Sequence, residues 1–147
     1  MGLGVFCEVR MSYPKRFGPG EGPPHIKALV KRLLPLLVGG DHPASLILRE
    51  QLRGARVGAI ELSGTGFFAD IEVAADAPKV APPEFAGGDA KIRLDGLPVE
   101  AGCVLFVRGG YLSMLEGYTY DGAWEEDTLV LAVSDVFPIQ PPRDQAG

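Results

Sequence analysis

The sequence is poor in residues that hold metal ions or form disulfides. It contains two cysteines and two histidines among 147 residues. Cys7 and Cys103 lie far apart and match neither a CxxC motif nor a zinc-site spacing, so we expect two free thiols, with a disulfide as the less favoured alternative. His25 and His42 add no ligand cluster. We therefore expect neither a metal ion nor another cofactor.

The usual catalytic and membrane signatures are also absent. GxSxG, HExxH and P-loop patterns do not occur, and the SGTG run at residues 63–66 lacks the lysine of a phosphate loop. A Ser–His–acid set stays open, because such triads assemble from distant segments. No apolar run approaches the ~20 residues that span a bilayer, and the N-terminus lacks the features of a signal peptide. These absences favour a cytoplasmic location and lean against an enzyme.

Charged residues are distributed unevenly along the chain. The net charge is −5, but residues 1–60 carry nine Lys and Arg against four Asp and Glu, whereas residues 61–147 carry five against fifteen. The excess of carboxylates argues against nucleic acid as a partner, because phosphate contacts need clustered cations. It suits a basic protein partner, and a merely solvated acidic surface is the alternative interpretation.

Glycine and proline, with 20 and 13 residues, mark the expected domain limits. The run GPGEGPP at 18–24 fits neither a helix nor a central strand, so residues 1–24 are predicted to form a flexible leader. Residues 25–138 are predicted to form a single α+β domain, as the length of the chain favours. The polar end of the chain predicts a frayed tail over residues 139–147.

Two helices are predicted at the start of this domain. In residues 25–34 apolar side chains recur with helical spacing, and Pro35 is expected to end or kink the helix. This basic amphipathic helix suits the surface of a membrane, but we favour packing of its apolar face on the sheet and expect no membrane contact. The second helix is predicted to begin at the N-cap Asp41, to turn Leu46 inward and to end at Gly54.

The remainder of the domain predicts an antiparallel sheet. Alternating or continuous apolar segments separated by glycine-rich turns are typical of strands. The predicted strands cover 56–62, 67–74, an edge strand at 91–95, a hairpin at 103–120 and a buried strand at 129–133. The sequence thus predicts an α+β fold in which two N-terminal helices pack on one face of a mainly antiparallel sheet of about five or six strands.

The hairpin makes the sharpest geometric prediction. Two glycines at 109–110 between strand-like segments favour a type I′ turn, because both central residues need a positive φ. The register that follows pairs Arg108 with Tyr111 and, five steps further, Cys103 with Glu116. Cys103 then lies on the more apolar face, and Glu116 is expected to point with it toward the core.

An inward-facing Glu116 is the one catalytic candidate. A carboxylate among apolar side chains is costly unless it is paired, so the position suits proton transfer or ligand binding in a cavity between helices and sheet. The alternative is a carboxylate at the end of a strand that reaches water past Gly117. Gly117 is also a candidate for a bulge that redirects the residues after it.

The segment after the hairpin combines aromatic and acidic side chains, a composition typical of surfaces that bind basic partners. Trp124 lies in a turn-rich stretch that is hard to bury, so it is the preferred contact residue. The same carboxylates suit a divalent cation less well, because they lack EF-hand spacing. The candidate partner-binding residues are Tyr118, Tyr120, Asp121, Trp124, Glu125, Glu126 and Asp127.

The same stretch carries a resemblance to other proteins. The run GGYLSMLEGYTYDGAW, preceded by VLFV, resembles the C-terminal hairpin of small uncharacterised bacterial α+β proteins that carry a GxLxxLExYxY pattern. The matching positions are Gly110, Leu112, Leu115, Glu116, Tyr118 and Tyr120. The helix-then-strand order from residue 41 onward is also similar, so the resemblance covers roughly residues 41–137. By analogy with small acidic bacterial proteins, it implies a binding role such as that of immunity proteins.

Three functional classes follow from these features. The first is a non-enzymatic protein-binding domain, immunity-like or inhibitor-like, with an acidic aromatic surface for a basic partner. The second is a ligand-binding protein or enzyme with Glu116 in a cavity between helices and sheet. The third is a structural subunit that self-associates, for example as a homodimer, through exposed sheet surface.

Overall fold

The computed structural model describes residues 13–143, and within them two helices precede most of the strands. The helices are α1 (Pro24–Leu37) and α2 (Pro43–Arg53). The strands are β1 (Lys15–Phe17), β2 (Arg56–Leu62), β3 (Gly66–Glu72), β4 (Phe85–Gly87), β5 (Asp89–Leu94), β6 (Gly102–Arg108), β7 (Tyr111–Tyr118) and β8 (Val130–Phe137).

Six of these strands form one antiparallel sheet in the order β1-β2-β3-β7-β6-β4. β5 and β8 pair as a small second sheet, which is joined to the start of β6 by a bridge between Ile92 and Ala101. The core lies between the helices and one face of the large sheet, with Ile26 and Leu33 of α1 packed in the same cluster as Leu105 of β6. The predicted α+β class is confirmed.

The β6–β7 hairpin has the predicted turn but a different register. The glycines at 109–110 have φ values of 61° and 85°, which confirms the type I′ turn. The two pairs next to the turn follow the prediction, but Phe106 then pairs with Met114, so that Ser113 is one residue too many on β7. The bulge therefore lies at Ser113. The pairing is regular at Gly117, the other candidate for a bulge.

The bulge reverses the facing of the rest of β7, because a shift of one residue exchanges the two faces of a strand. Leu115 and Gly117 are buried, and Cys103 pairs with Gly117. Glu116 pairs instead with Val104 and lies half-buried on the opposite face. The prediction that Glu116 points toward the core was wrong, since the predicted register omitted the bulge.

Helix α1 continues three residues beyond its predicted end. The predicted apolar stripe is buried, and Leu37 extends it by a further turn. Pro35 lies inside the helix with its ring exposed. It removes one backbone donor without bringing bulk into the core, so the burial of Leu37 outweighs the lost hydrogen bond.

Helix α2 begins and faces differently from the prediction. His42, not Asp41, is the N-cap, and its Nδ1 accepts a hydrogen bond of 3.0 Å from the Ala44 N–H. Leu46 is 63% exposed. The buried positions are Ala44, Ser45, Leu48 and Gln51. Two polar residues therefore take part in the inward face, which an apolar stripe does not predict.

Gln51 accounts for the orientation of α2. Its side-chain amide is 1% exposed and donates hydrogen bonds of 2.8 Å to the carbonyls of Pro78 and Gly110. Its Oε1 accepts a bond of 2.9 Å from the Leu112 N–H. One buried side chain thus satisfies three backbone groups and joins α2 to the hairpin turn.

Parts of the predicted leader and tail belong to the fold. Lys15–Phe17 form the edge strand β1 against β2, so the prediction of a flexible leader was wrong for these residues. Ile139, assigned to a frayed tail, is fully buried and donates a hydrogen bond of 2.8 Å to the Leu37 carbonyl. Residues 1–12 of the predicted leader and 144–147 of the predicted tail lie outside the described part.

The last strand is not the buried strand that the sequence predicted. β8 pairs with β5 alone among the described strands, and its side chains are half-buried or exposed. Two register shifts interrupt the pairing. Leu131 and Phe137 are 55% and 64% exposed, so an apolar run here does not correspond to burial.

Two glycines allow β3 and β7 to approach closely. A methyl group at Gly66 would overlap the Gly117 carbonyl, and one at Gly117 would overlap the Phe67 ring. Phe67 and Gly117 are direct cross-strand partners. The ring therefore occupies the space that a side chain at 117 would fill.

No helix within residues 13–143 has the length and apolar character needed to cross a membrane.

We predict that Gly117→Ala lowers the free energy of unfolding by about 3 kcal/mol, because the added methyl displaces the Phe67 ring. Gly54→Ala is the control, since its nearest neighbour would be 4.0 Å away and its φ is −105°. The control should be neutral or stabilising by up to about 1 kcal/mol. Denaturant unfolding measures both.

A smaller partner should relieve the overlap. In the double variant Phe67→Leu/Gly117→Ala the loss should be smaller than the sum of the two single losses. Strict additivity would contradict the contact between the ring and the glycine.

Candidate functional site

Trp124 is a core residue and not the exposed contact that the sequence predicted. It is fully buried, and its ring meets Phe67 edge to face with centroids 5.2 Å apart. Its indole N–H is buried without an acceptor among the residues that the structure describes, so packing alone holds the ring. The prediction failed because it did not foresee the contact of Trp124 with Phe67, whose ring lies against Gly117.

Backbone hydrogen bonds fasten the rest of this segment to the β2–β3 loop. The Trp124 N–H donates to the Gly64 carbonyl at 3.0 Å, and the Thr119 N–H donates to the Thr65 carbonyl at 2.9 Å. The Thr119 hydroxyl also bonds the Gly122 carbonyl at 3.1 Å. The turn-rich stretch is therefore held at both ends, and the acidic residues that follow Trp124 have a defined position.

The two candidate tyrosines precede Trp124 in the chain and contact each other. Tyr118 and Tyr120 meet edge to face with centroids 5.4 Å apart. Tyr120 is 66% exposed and lines a shallow depression with Lys91 and Val99. Burial, and then the contact with Tyr120, raise the pKa of Tyr118. Asp121 is exposed in the turn that follows.

The charges of the three acidic residues after Trp124 act on Tyr13. Burial and the carboxylate of Glu125 are the main causes that raise the pKa of Tyr13, and Glu126 and Asp127 add to them. Lys15 acts in the opposite direction and forms an ion pair of 3.1 Å with Glu126. We call Tyr13, Glu125, Glu126 and Asp127 the acidic surface.

Tyr13 is the aromatic member of this surface, and the sequence analysis missed it. It was assigned to the leader, far in sequence from the acids. The alternation in Lys15–Phe17 before the GPGEGPP run was the available signal, but three residues are too few to predict an edge strand. β1 brings Tyr13 into place by pairing Lys15 with Leu62 at the end of β2.

Glu116 does not join this site or the core. It lies between Phe68 of β3 and Val104 of β6 on the sheet face opposite Leu115. It is not among the residues that line the four surface depressions described for the fold. The prediction that Glu116 lies between helices and sheet was therefore wrong, and a role for Glu116 in proton transfer stays a prediction.

Neither a reactive thiol nor a metal-ligand cluster occurs among the residues that the structure describes. Cys103 is buried, and burial raises the pKa of its thiol to about 12, which disfavours a reactive thiolate at neutral pH. Within residues 13–143 no group of three or more His, Cys, Asp or Glu side chains is placed to hold a metal ion.

No family model, no curated protein and no solved structure matches this chain. The likeness to small bacterial α+β proteins therefore stays a prediction.

We predict that Glu125→Gln/Glu126→Gln/Asp127→Asn lowers the pKa of Tyr13, because three nearby negative charges no longer oppose its ionisation. The value should stay above 10.0, since burial is the larger cause. NMR titration of the tyrosine rings measures it.

The matched control removes three exposed carboxylates elsewhere, Asp41→Asn/Asp76→Asn/Asp95→Asn. It should leave the Tyr13 titration unchanged. An equal shift in both variants would indicate a general effect of net charge and would contradict the local geometry.

Proposed function

We propose that the protein is a non-enzymatic binding protein that docks a basic protein partner on its acidic surface, in the cytoplasm and in the manner of an immunity or inhibitor protein. The observation that carries this proposal is the run of Glu125, Glu126 and Asp127 directly after the buried Trp124, beside the Lys15–Glu126 contact of 3.1 Å. The three carboxylates raise the pKa of the half-buried Tyr13, so their charge reaches this aromatic ring. Electrostatic complementarity of this kind gives partner choice and fast association.

The ordering of the surface supports this role. Glu125 and Asp127 are exposed, and the Glu125 N–H is held by the Thr128 hydroxyl at 2.9 Å. Because the neighbouring Trp124 is anchored in the core, the carboxylates need little further ordering when a partner binds. Preorganisation of this type lowers the entropic cost of association.

Lys15 neutralises only part of the negative charge of the acidic surface. Its one ion pair engages Glu126, with side chains 35% and 43% exposed, so the pair is weak and open to exchange. Within residues 13–143 Glu125 and Asp127 form no ion pair, so they are available for the cations of a partner.

We predict that the tagged protein, purified from its native cells at low salt, carries a stoichiometric basic partner that dissociates as salt rises. The Glu125→Gln/Glu126→Gln/Asp127→Asn variant should recover at least about tenfold less of it, as expected when a complementary charge cluster is lost. Mass spectrometry identifies and quantifies the partner.

The Asp41→Asn/Asp76→Asn/Asp95→Asn variant has the same net charge and should retain the partner. Loss of the partner from both variants, recovery from both, or the absence of any partner would each overturn the proposed surface.

A second candidate function is self-association through β8, and exposed apolar residues favour it. Leu131 is 55% exposed and Phe137 is 64% exposed along a strand of eight residues, and Leu129, just before the strand, is 55% exposed. β8 pairs on one side only among strands of the described part. A long edge strand with apolar side chains is a template for pairing with another strand, here β8 of a second copy.

We predict for this candidate a concentration-dependent dimer in sedimentation velocity, which Leu131→Lys abolishes because a charge at the edge opposes strand pairing. Leu46→Lys is the control, since Leu46 is 63% exposed on α2, away from β8. A monomer at all concentrations, or equal effects of the two variants, would remove this candidate.

A further inference from the structure

A cleft of about 460 Å³ opens between α1 and the junction of α2 with β2. It lies at the opposite end of β2 from the acidic surface, because Lys15 pairs with Leu62 whereas Arg56 at the first position of β2 lines the cleft. A strand of seven residues separates the two ends by about 20 Å. Its volume is within the range of small-molecule sites, roughly 300–1,000 Å³.

The charged residues that line the cleft are all cations. Lys27 and Lys31 project from one side of α1, four residues apart, and Arg56 faces them from β2. Among the described residues no carboxylate lines this cleft, although the chain has a net charge of −5. Like charges at this spacing repel each other, and an anion between them would relieve the repulsion.

The cations are not neutralised within the part of the chain that the structure describes. Lys27 donates to the Gly20 carbonyl at 3.1 Å, which holds it at the edge of the cleft and leaves its charge uncompensated. Neither Lys27 nor Lys31 has an ion pair there. Arg56 reaches Glu72 only at 3.9 Å, with side chains 83% and 48% exposed, so this pair is weak.

The rest of the lining is apolar. Leu34 is 4% exposed, and Leu52 and Val57 are half-buried beside it. Pro35, also in the lining, has no N–H for the Lys31 carbonyl, so the helix lacks one internal hydrogen bond at this wall. The cleft therefore combines an apolar floor with three cations.

We propose that this cleft binds a small organic anion, with its phosphate or carboxylate group between Lys27, Lys31 and Arg56 and its apolar body on Leu34, Leu52 and Val57. The volume of the cleft is larger than that of an inorganic anion. The apolar floor forms no favourable contact with such an ion. Arg56 suits either oxyanion, because its guanidinium binds phosphate and carboxylate with paired hydrogen bonds.

The test uses the full chain and follows ¹H–¹⁵N NMR spectra during titration with phenyl phosphate, benzoate, phenol and inorganic phosphate. Phenyl phosphate or benzoate should bind saturably and shift the resonances of residues 27–35 and 52–57. The tighter of the two identifies the preferred oxyanion. Phenol and inorganic phosphate should each bind at least about tenfold more weakly, because each lacks one half of the recognised chemistry.

Charge variants test the contribution of the cations to binding. Lys31→Gln should raise the dissociation constant at least about fivefold, because a charge-assisted contact is lost. Arg32→Gln is the control, since Arg32 is equally exposed on α1 but does not line the cleft. Glu72→Gln should tighten binding by freeing Arg56.

Three outcomes would overturn the proposal. These are the absence of saturable binding, equal binding of inorganic phosphate and phenyl phosphate, and equal weakening by Lys31→Gln and Arg32→Gln. Because both lysine and arginine variants change exposed side chains, loss of folding does not confuse the comparison, and the unperturbed remainder of each spectrum confirms it.

Discussion

The packing of Trp124 and Phe67 over Gly117 is the contact on which the described surface depends. Gly117 has no side chain, so the Phe67 ring covers the strand, and Trp124 meets that ring at an interplanar angle of 89°. The indole is fully buried, and a buried aromatic ring contributes more to stability than any of the exposed ion pairs around it. The burial of Trp124 thereby fixes the position of the turn-rich segment that contains it.

This anchor connects the core with the charge distribution of the molecule. It brings the carboxylates of residues 125–127 to the end of β2 at which β1 pairs, while Arg56 and the lysines of α1 collect at the other end. The uneven charge of the sequence thus becomes a separation in space of about 20 Å, which exceeds the Debye length of about 8 Å at physiological salt. The charges at the two ends therefore act largely independently of each other at that salt concentration.

Local signals allowed much of the fold to be predicted, and contacts between distant residues explain the failures. The glycines at 109–110 specify their own turn, so it was predicted correctly. The bulge at Ser113 depends on how β7 fits between two neighbours, and nothing in its own residues marks it. Gln51 is a polar residue of a helix, yet it is buried because it forms hydrogen bonds with three backbone groups of other segments. The acidic residues were predicted, but Tyr13 joins them only through strand pairing.

The burial of Trp124 is the central claim, and the chain contains a single tryptophan, so fluorescence reports on this residue alone. The decisive measurement is the emission spectrum of the native protein together with its quenching by acrylamide. The structure predicts emission shifted to shorter wavelength than that of free tryptophan in water, with little quenching until the protein is unfolded. Emission at the wavelength of free tryptophan, with full quenching in the native state, would contradict the anchor and the ordered acidic surface that depends on it.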